Sequence, residues 1–167
     1  MRMKKRLTYL LMLLLLPLLG GCSEEDDVLE IFTGKTWKLT YIALEGQHQM
    51  FDFWNDDAAA RRSMELLEQG ATFVIEFNGS ETSDYVNGDF EARAVNRSLT
   101  GLWAADGASR KLHLTDIKST GNAETDILAR AFLTGLENAI RYSGDSQYLY
   151  IYYEDGQTTK CMAFHIQ

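Results

Sequence analysis

The sequence predicts a mainly β (α+β) fold: an antiparallel β-sheet curled into a barrel, with one long packed helix at about 124–143 and a shorter surface helix at about 56–69. Apolar and polar residues alternate in several runs of strand length, the period of a half-buried sheet. An Asp-Gly pair between two β-rich runs marks a closing hairpin. A four-residue apolar repeat interrupts that alternation once, as a packed helix does.

Trp37, Leu39 and Tyr41 alternate with Lys38 and Thr40 in the first strand, and Phe73, Ile75 and Phe77 with Val74 and Glu76 in the second. Strands follow around Asp89–Val95 and Leu99–Ala104. Ala105-Asp106-Gly107-Ala108 then turns the chain into Lys111–Ile117, where Leu112 and Leu114 share a face. The last hairpin is Tyr148–Tyr153, the turn Glu154-Asp155-Gly156-Gln157, and Thr158–Ile166. Asp155 and Gly156 are the residues expected to adopt positive φ there.

Asp56–Gln69 reads as a helix capped by Asn55 or Asp56 and ended by Gly70. Its narrow apolar stripe places it on the surface. In Glu124–Ser143, Leu128, Phe132, Leu136 and Ile140 recur every fourth residue, and Gly144 supplies a left-handed stop. That stripe must lie on the sheet or plug one end of a barrel.

The first residues carry an address. Arg2, Lys4, Lys5 and Arg6 precede an apolar run of about 13 residues, Leu7–Leu19. A bilayer span needs about 20 residues, and Pro17, Gly20 and Gly21 break a helix here. Leu19-Gly20-Gly21-Cys22 resembles a bacterial lipobox. Residues 1–21 are thus expected to be a lipoprotein signal peptide, and Cys22 the lipidated residue whose acyl chains hold the protein to a membrane. Residues 22–30 read as an acidic tether and 31–167 as one β domain. Ser23-Glu24-Glu25-Asp26-Asp27 is similar to the export signal of Bacteroidetes lipoproteins, which implies the outer membrane and its cell surface.

Without its signal the chain holds 12 Lys+Arg against 24 Asp+Glu, a net charge of −12. That balance argues against nucleic acid as a partner. With Cys22 lipidated, Cys161 has no intramolecular partner; its apolar strand-like surroundings suit a buried, inert thiol.

Thr33-Gly34-Lys35-Thr36-Trp37-Lys38-Leu39 resembles the opening of META-domain (HslJ-type) proteins and, more loosely, the Gly-x-Trp start of lipocalin-like domains. The similarity to META domains continues through Thr72–Phe77, Val86–Phe90, Leu112–Leu114, Leu133–Ala139, Tyr142 and Leu149–Ile151. The resemblance implies a META/lipocalin-like barrel, as in uncharacterised outer-membrane lipoproteins of Bacteroidetes. Ala94–Arg97 and Ile117–Gly121 lack the cysteines common in META domains, so it implies a fold and not a site.

No catalytic, metal-binding or cofactor-binding constellation is legible. His48, His113 and His165 are isolated, without ligand spacing. Asp52, Asp56 and Asp57 do not form a calcium loop. Aromatic residues are the remaining candidates: Tyr148, Tyr150 and Tyr152 share one strand face, which Trp54 or Trp103 would join to bind a glycan or peptide. The dense apolar run Met50–Trp54 either packs under the first helix or forms a binding lip. The leading expectation is a non-enzymatic, membrane-anchored domain that binds a ligand or an envelope protein. The alternatives are a surface hydrolase, which needs carboxylates roughly 5–9 Å apart, and an accessory subunit of an envelope complex.

Overall fold

The computed structural model describes residues 24–82 and 85–167. The expected signal peptide, residues 1–21, and Cys22 lie outside the described residues. Eight antiparallel strands, each bonded to the next in sequence, close into a barrel: β1 (Thr36–Leu44), β2 (Val74–Thr82), β3 (Tyr85–Arg93), β4 (Arg97–Asp106), β5 (Lys111–Gly121), β6 (Ala139–Gly144), β7 (Tyr148–Asp155) and β8 (Thr158–Ile166). β8 closes the ring on β1. Helix α1 (Glu24–Phe32) precedes β1, α2 (Asp57–Glu68) lies between β1 and β2, and α3 (Ile127–Glu137) between β5 and β6. The antiparallel barrel expected from the sequence is the fold observed.

This order places the helices. α1 enters at the end where β1 starts, whereas α2 and α3 connect strands at the other end. Val28, Ile31 and Phe32, at i, i+3 and i+4, are buried in the core. Phe32 packs edge-on to Phe77 at 4.8 Å, is stacked on Trp103 at 4.9 Å, and meets Tyr142 at 4.8 Å. Where the sequence reads as an acidic tether over 22–30, the described part is packed structure: the backbone is helical from Glu24, and Val28 is fully buried. Those three apolar residues override the acidic composition around them, because their shared stripe fits the open end of the barrel.

α3 closes the opposite end. Leu128, Ala129, Phe132 and Leu136 are fully buried. The Phe132 ring lies 5.8 Å from Phe73 and 6.3 Å from Phe164. Gly135 lets the helix approach closely: a Cβ there would lie 2.7 Å from Met162 Sδ and 3.1 Å from Tyr153. The helix is shorter than the expected 124–143. Asp126 caps its start by accepting from the Ala129 amide at 2.9 Å. Asn138 ends it, and Ala139–Gly144 is strand β6. Ile140 continues the four-residue repeat only by coincidence. The barrel needs β6 to join β5 and β7, and Ala139 already pairs with Tyr153.

α2 matches its expected span and position, with Asp56 accepting from the Ala59 amide at 2.8 Å. Its end is covered by an unexpectedly buried Lys38, whose ammonium donates to the carbonyls of Gln69 (2.6 Å) and Thr72. Burial lowers the Lys38 pKa to about 8.

One turn and one strand depart from expectation. Asp155 still pairs with Thr158, so the β7–β8 turn is Gly156-Gln157, with φ +65° at Gly156. In β1 the register shifts between Leu39 and Tyr41. This bulge breaks the expected Trp37-Leu39-Tyr41 alternation: Trp37, Leu39 and Ile42 face the core, and Tyr41 swings to the outside. Leu114 is likewise only half-buried, unlike Leu112.

The centre of the barrel is full. Trp37, Trp103, Phe73, Phe77, Phe90, Phe132 and Phe164 are at most 1% exposed and belong to one continuous cluster. Any ligand must therefore meet the exterior. Among the described residues, no helix is long and apolar enough to cross a membrane.

Candidate functional site: a tyrosine face and an interhelical cleft

Tyr148, Tyr150 and Tyr152 point outward from β7, while Leu149, Ile151 and Tyr153 point into the core. Tyr148 is 52% exposed. The bulge in β1 adds Tyr41 to this face. Ala163 of β8 pairs with Tyr41 on one side and Tyr150 on the other, and Tyr150 pairs with Ser143 of β6. A second row runs Ala43, Cys161, Tyr152, Arg141. Small buried residues thus form a floor, and phenol rings stand beside it. Burial, then the neighbouring Tyr150 hydroxyl, raises the Tyr41 pKa above its ordinary value.

The face has a polar rim. The Arg141 guanidinium lies 3.7 Å from the centre of the Tyr152 ring and is ion-paired with Glu45. The Tyr41 hydroxyl meets His48 Nδ1 at 3.2 Å, and the Thr40 hydroxyl meets His165 Nδ1 at 2.8 Å. Both histidines are exposed, as is His113. Cys161 is buried beside Tyr152, and desolvation pushes its thiol up to about 11.

Trp103 does not join the tyrosines. It is 1% exposed, lies inside the barrel, and donates from Nε1 to the Asn78 carbonyl at 2.9 Å. Its neighbours Ala105 and Leu99 share that inward face of β4. Trp54 stands apart as well, at the α2–α3 end, so the aromatic set expected from the sequence is divided among three places.

Trp54 lines a cleft of about 430 Å³ between the starts of α2 and α3. Its Nε1 donates to Ser63 Oγ at 2.8 Å, and Ser63, fully buried, donates to Asp126 Oδ2 at 2.5 Å. This chain of bonds joins the 45–56 loop, α2 and α3 at one point. Arg62 and Arg130 also line the cleft, with Asn55, Leu66 and Thr125. Sequence reading missed the arginines and Ser63, because no local spacing relates α2 to α3. The run Met50–Trp54 is mostly packing. Phe51 donates its amide to the Ile42 carbonyl at 2.7 Å, and Lys160 lies 4.1 Å over the Phe51 ring.

The carboxylates have local structural uses. Asp52 accepts from the Trp54 amide at 3.1 Å, and Asp56 caps α2. Among the described residues, no three His, Cys, Asp or Glu side chains gather where they could hold a metal ion.

With this geometry in place, comparison with known proteins is informative about family and fold. No curated protein matches. A solved structure of a DUF4847 family protein from Bacteroides vulgatus is similar, with a TM-score of 0.62 and 23% identity over 83% of this chain and 96% of that chain. At that identity the likeness extends to the fold. The family model for DUF4847, a domain of unknown function, matches residues 23–166, a family other than the META domains that the sequence resembles. The chain, a closed eight-stranded barrel over most of its length, belongs to the DUF4847 family.

Proposed function

We propose that this chain is a lipid-anchored outer-membrane domain that binds an extended glycan on its tyrosine face and catalyses no reaction. The observation that carries the reading is the row Tyr41–Ala163–Tyr150, flanked by Tyr148 and Tyr152 on the outside of a filled barrel. Rings two residues apart on one strand are roughly 7 Å apart, a spacing that suits successive sugars stacking on their apolar faces. The rim supplies hydrogen-bonding groups for hydroxyls: Arg141, Glu45, His48 and Ser143.

The anchor reading rests on the lipobox ending at Cys22. Only Ser23 separates that cysteine from α1, whose far half is buried in the barrel. At about 3.5 Å per residue, the end plugged by α1 sits against the membrane and the α2–α3 end points away. The tyrosine face then runs up the side of the barrel, open to the surroundings.

Two measurements test this. Cys22→Ser is expected to leave the precursor uncut or to release the protein from membranes; unchanged partitioning after alkaline washing would remove the anchor. For binding, full-length protein in non-ionic detergent is run through gels containing neutral α-glucan, β-glucan or galactomannan. At least one polysaccharide is expected to retard the wild type and not Tyr148→Ala/Tyr150→Ala. Equal retardation of both, or none with any polysaccharide, defeats the glycan reading.

A further inference from the structure

The α2–α3 cleft is a second surface, independent of the tyrosine face. We propose that it binds a carboxylated sugar, with Trp54 as the stacking surface and Arg62 and Arg130 as the carboxylate clamp. Three observations converge on this assignment.

The first is the state of Trp54. Trp37 and Trp103 are at most 1% exposed, whereas Trp54 keeps part of its ring in solvent. It is not loosely placed: Nε1 is held at 2.8 Å by Ser63, which is itself held at 2.5 Å by Asp126. A partly exposed indole fixed by a buried network is a pre-organised apolar surface, so binding to it orders little that is not already ordered.

The second is charge. The chain carries 24 acids against 16 bases, yet two guanidinium groups line this one cleft. Among the described residues neither Arg62 nor Arg130 has an ion-pair partner. Arg130 spends one Nη1 on the carbonyls of Thr125 (3.1 Å) and Glu124 (3.5 Å), which aims the group and leaves its other donors available. The two carboxylates that line the cleft accept hydrogen bonds from within the protein, and Asp56 itself is exposed. Asp126 accepts from Ala129 with Oδ1 and from Ser63 with Oδ2, and Asp56 accepts from Ala59. The formal charges of the lining balance, but the two guanidinium groups are left without an ion-pair partner, and planar guanidinium forks suit a carboxylate.

The third is size and lining. About 430 Å³ accommodates one or two pyranose rings. Leu66, Ala59 and Ile127 give apolar contact, while the exposed Asn55 and Thr125 offer side-chain partners for hydroxyls. A carboxylate on a ring with one apolar face and several hydroxyls uses every one of these groups. An inorganic anion would use the arginines alone.

The test uses full-length protein in non-ionic detergent. Acrylamide quenching reads Trp54 selectively, because the other two indoles are buried. Glucuronate and a galacturonate oligosaccharide serve as probes, with glucose, inorganic phosphate and an acetylated dipeptide bearing a free C-terminal carboxylate as comparisons. Protection from quenching by the uronates, weakened about tenfold or more by Arg62→Gln and by Arg130→Gln, is expected. Arg61→Gln, on the same helix but outside the cleft, is expected to change nothing. Equal protection by glucose would overturn the clamp, and protection by phosphate or dipeptide alone would overturn the sugar. Protection by none of them would overturn the site. The tyrosine-face variant Tyr148→Ala/Tyr150→Ala is expected to retain uronate protection, so this result stands or falls separately from glycan binding on β7.

Discussion

Glu124 Oε1 lies 2.7 Å from the backbone nitrogen of Asn96, and the same oxygen accepts from the Val95 and Arg97 amides at 2.9 Å each. One buried carboxylate thus satisfies three consecutive amides of the β3–β4 turn and ties to it the segment that leads into α3. The amides of a tight turn have no ladder partners, so removing the acceptor leaves them unsatisfied. Glu124→Ala is expected to cost about 2–3 kcal/mol, and Glu124→Gln less, since the amide oxygen still accepts. Chemical denaturation measures both. Equal midpoints for wild type and Glu124→Ala would show that water replaces the carboxylate without loss.

Phe132 and Leu136 lie one turn apart on α3, fully buried. Truncating either to alanine is expected to cost about 2–5 kcal/mol through lost contacts and a residual cavity. Asn138→Ala changes an exposed residue whose side-chain amide donates to the Thr134 carbonyl at 2.8 Å, and is expected to cost under about 1 kcal/mol. Urea titration of the three variants should separate them clearly. Wild-type midpoints for Phe132→Ala and Leu136→Ala would mean that the barrel does not need its plug.

Cys161 and Tyr153 titrate in one direction. Burial raises the thiol to about 11 and lifts the Tyr153 phenol as well. Each group is neutral when protonated, so its stabilising effect is complete below its unfolded pKa and is lost as pH rises through the folded one. The contribution of these two groups is therefore expected to fall above about pH 9, where an unfolded thiol is about half ionised, while Lys38, whose folded pKa is lowered to about 8, contributes in the opposite sense. Cys161→Ala should flatten that fall between pH 9 and about 11. Iodoacetamide should modify native Cys161 slowly at pH 8 and rapidly after denaturation. Equal rates in the two states would place the thiol at the surface.

The acids of Ser23–Asp27 bear on topology. If they direct export, replacing all four with alanine is expected to protect the protein from protease added to intact cells, with membrane partitioning unchanged. Undiminished cleavage of the variant would reduce the segment to a structural lead-in to α1.

Local sequence determined much of this molecule. The alternation in Val74–Phe77 and Tyr148–Tyr153 follows from strand geometry alone, so the inward and outward sides of β2 and β7 were readable without knowing what covers them. Phe73, expected in the same strand, instead precedes β2 with φ +51°. The span of α2 was readable because its cap lies next to it in the chain. Other features depended on closure of the barrel. The repeat through Ile140 satisfied a helical period, yet residues 139–144 became β6, since pairing with β7 outweighs one more helical turn. The acidic start hid a core plug, because Val28, Ile31 and Phe32 acquire meaning only where a barrel end is open. Tyr41 reached the tyrosine face through a bulge that depends on its pairing with β8. Trp54, Ser63, Asp126 and the two arginines meet only because α2 and α3 cross the same end of the barrel. Period and caps are properties of neighbouring residues, whereas which faces meet is decided by register and by closing the ring, and both exterior surfaces were set there.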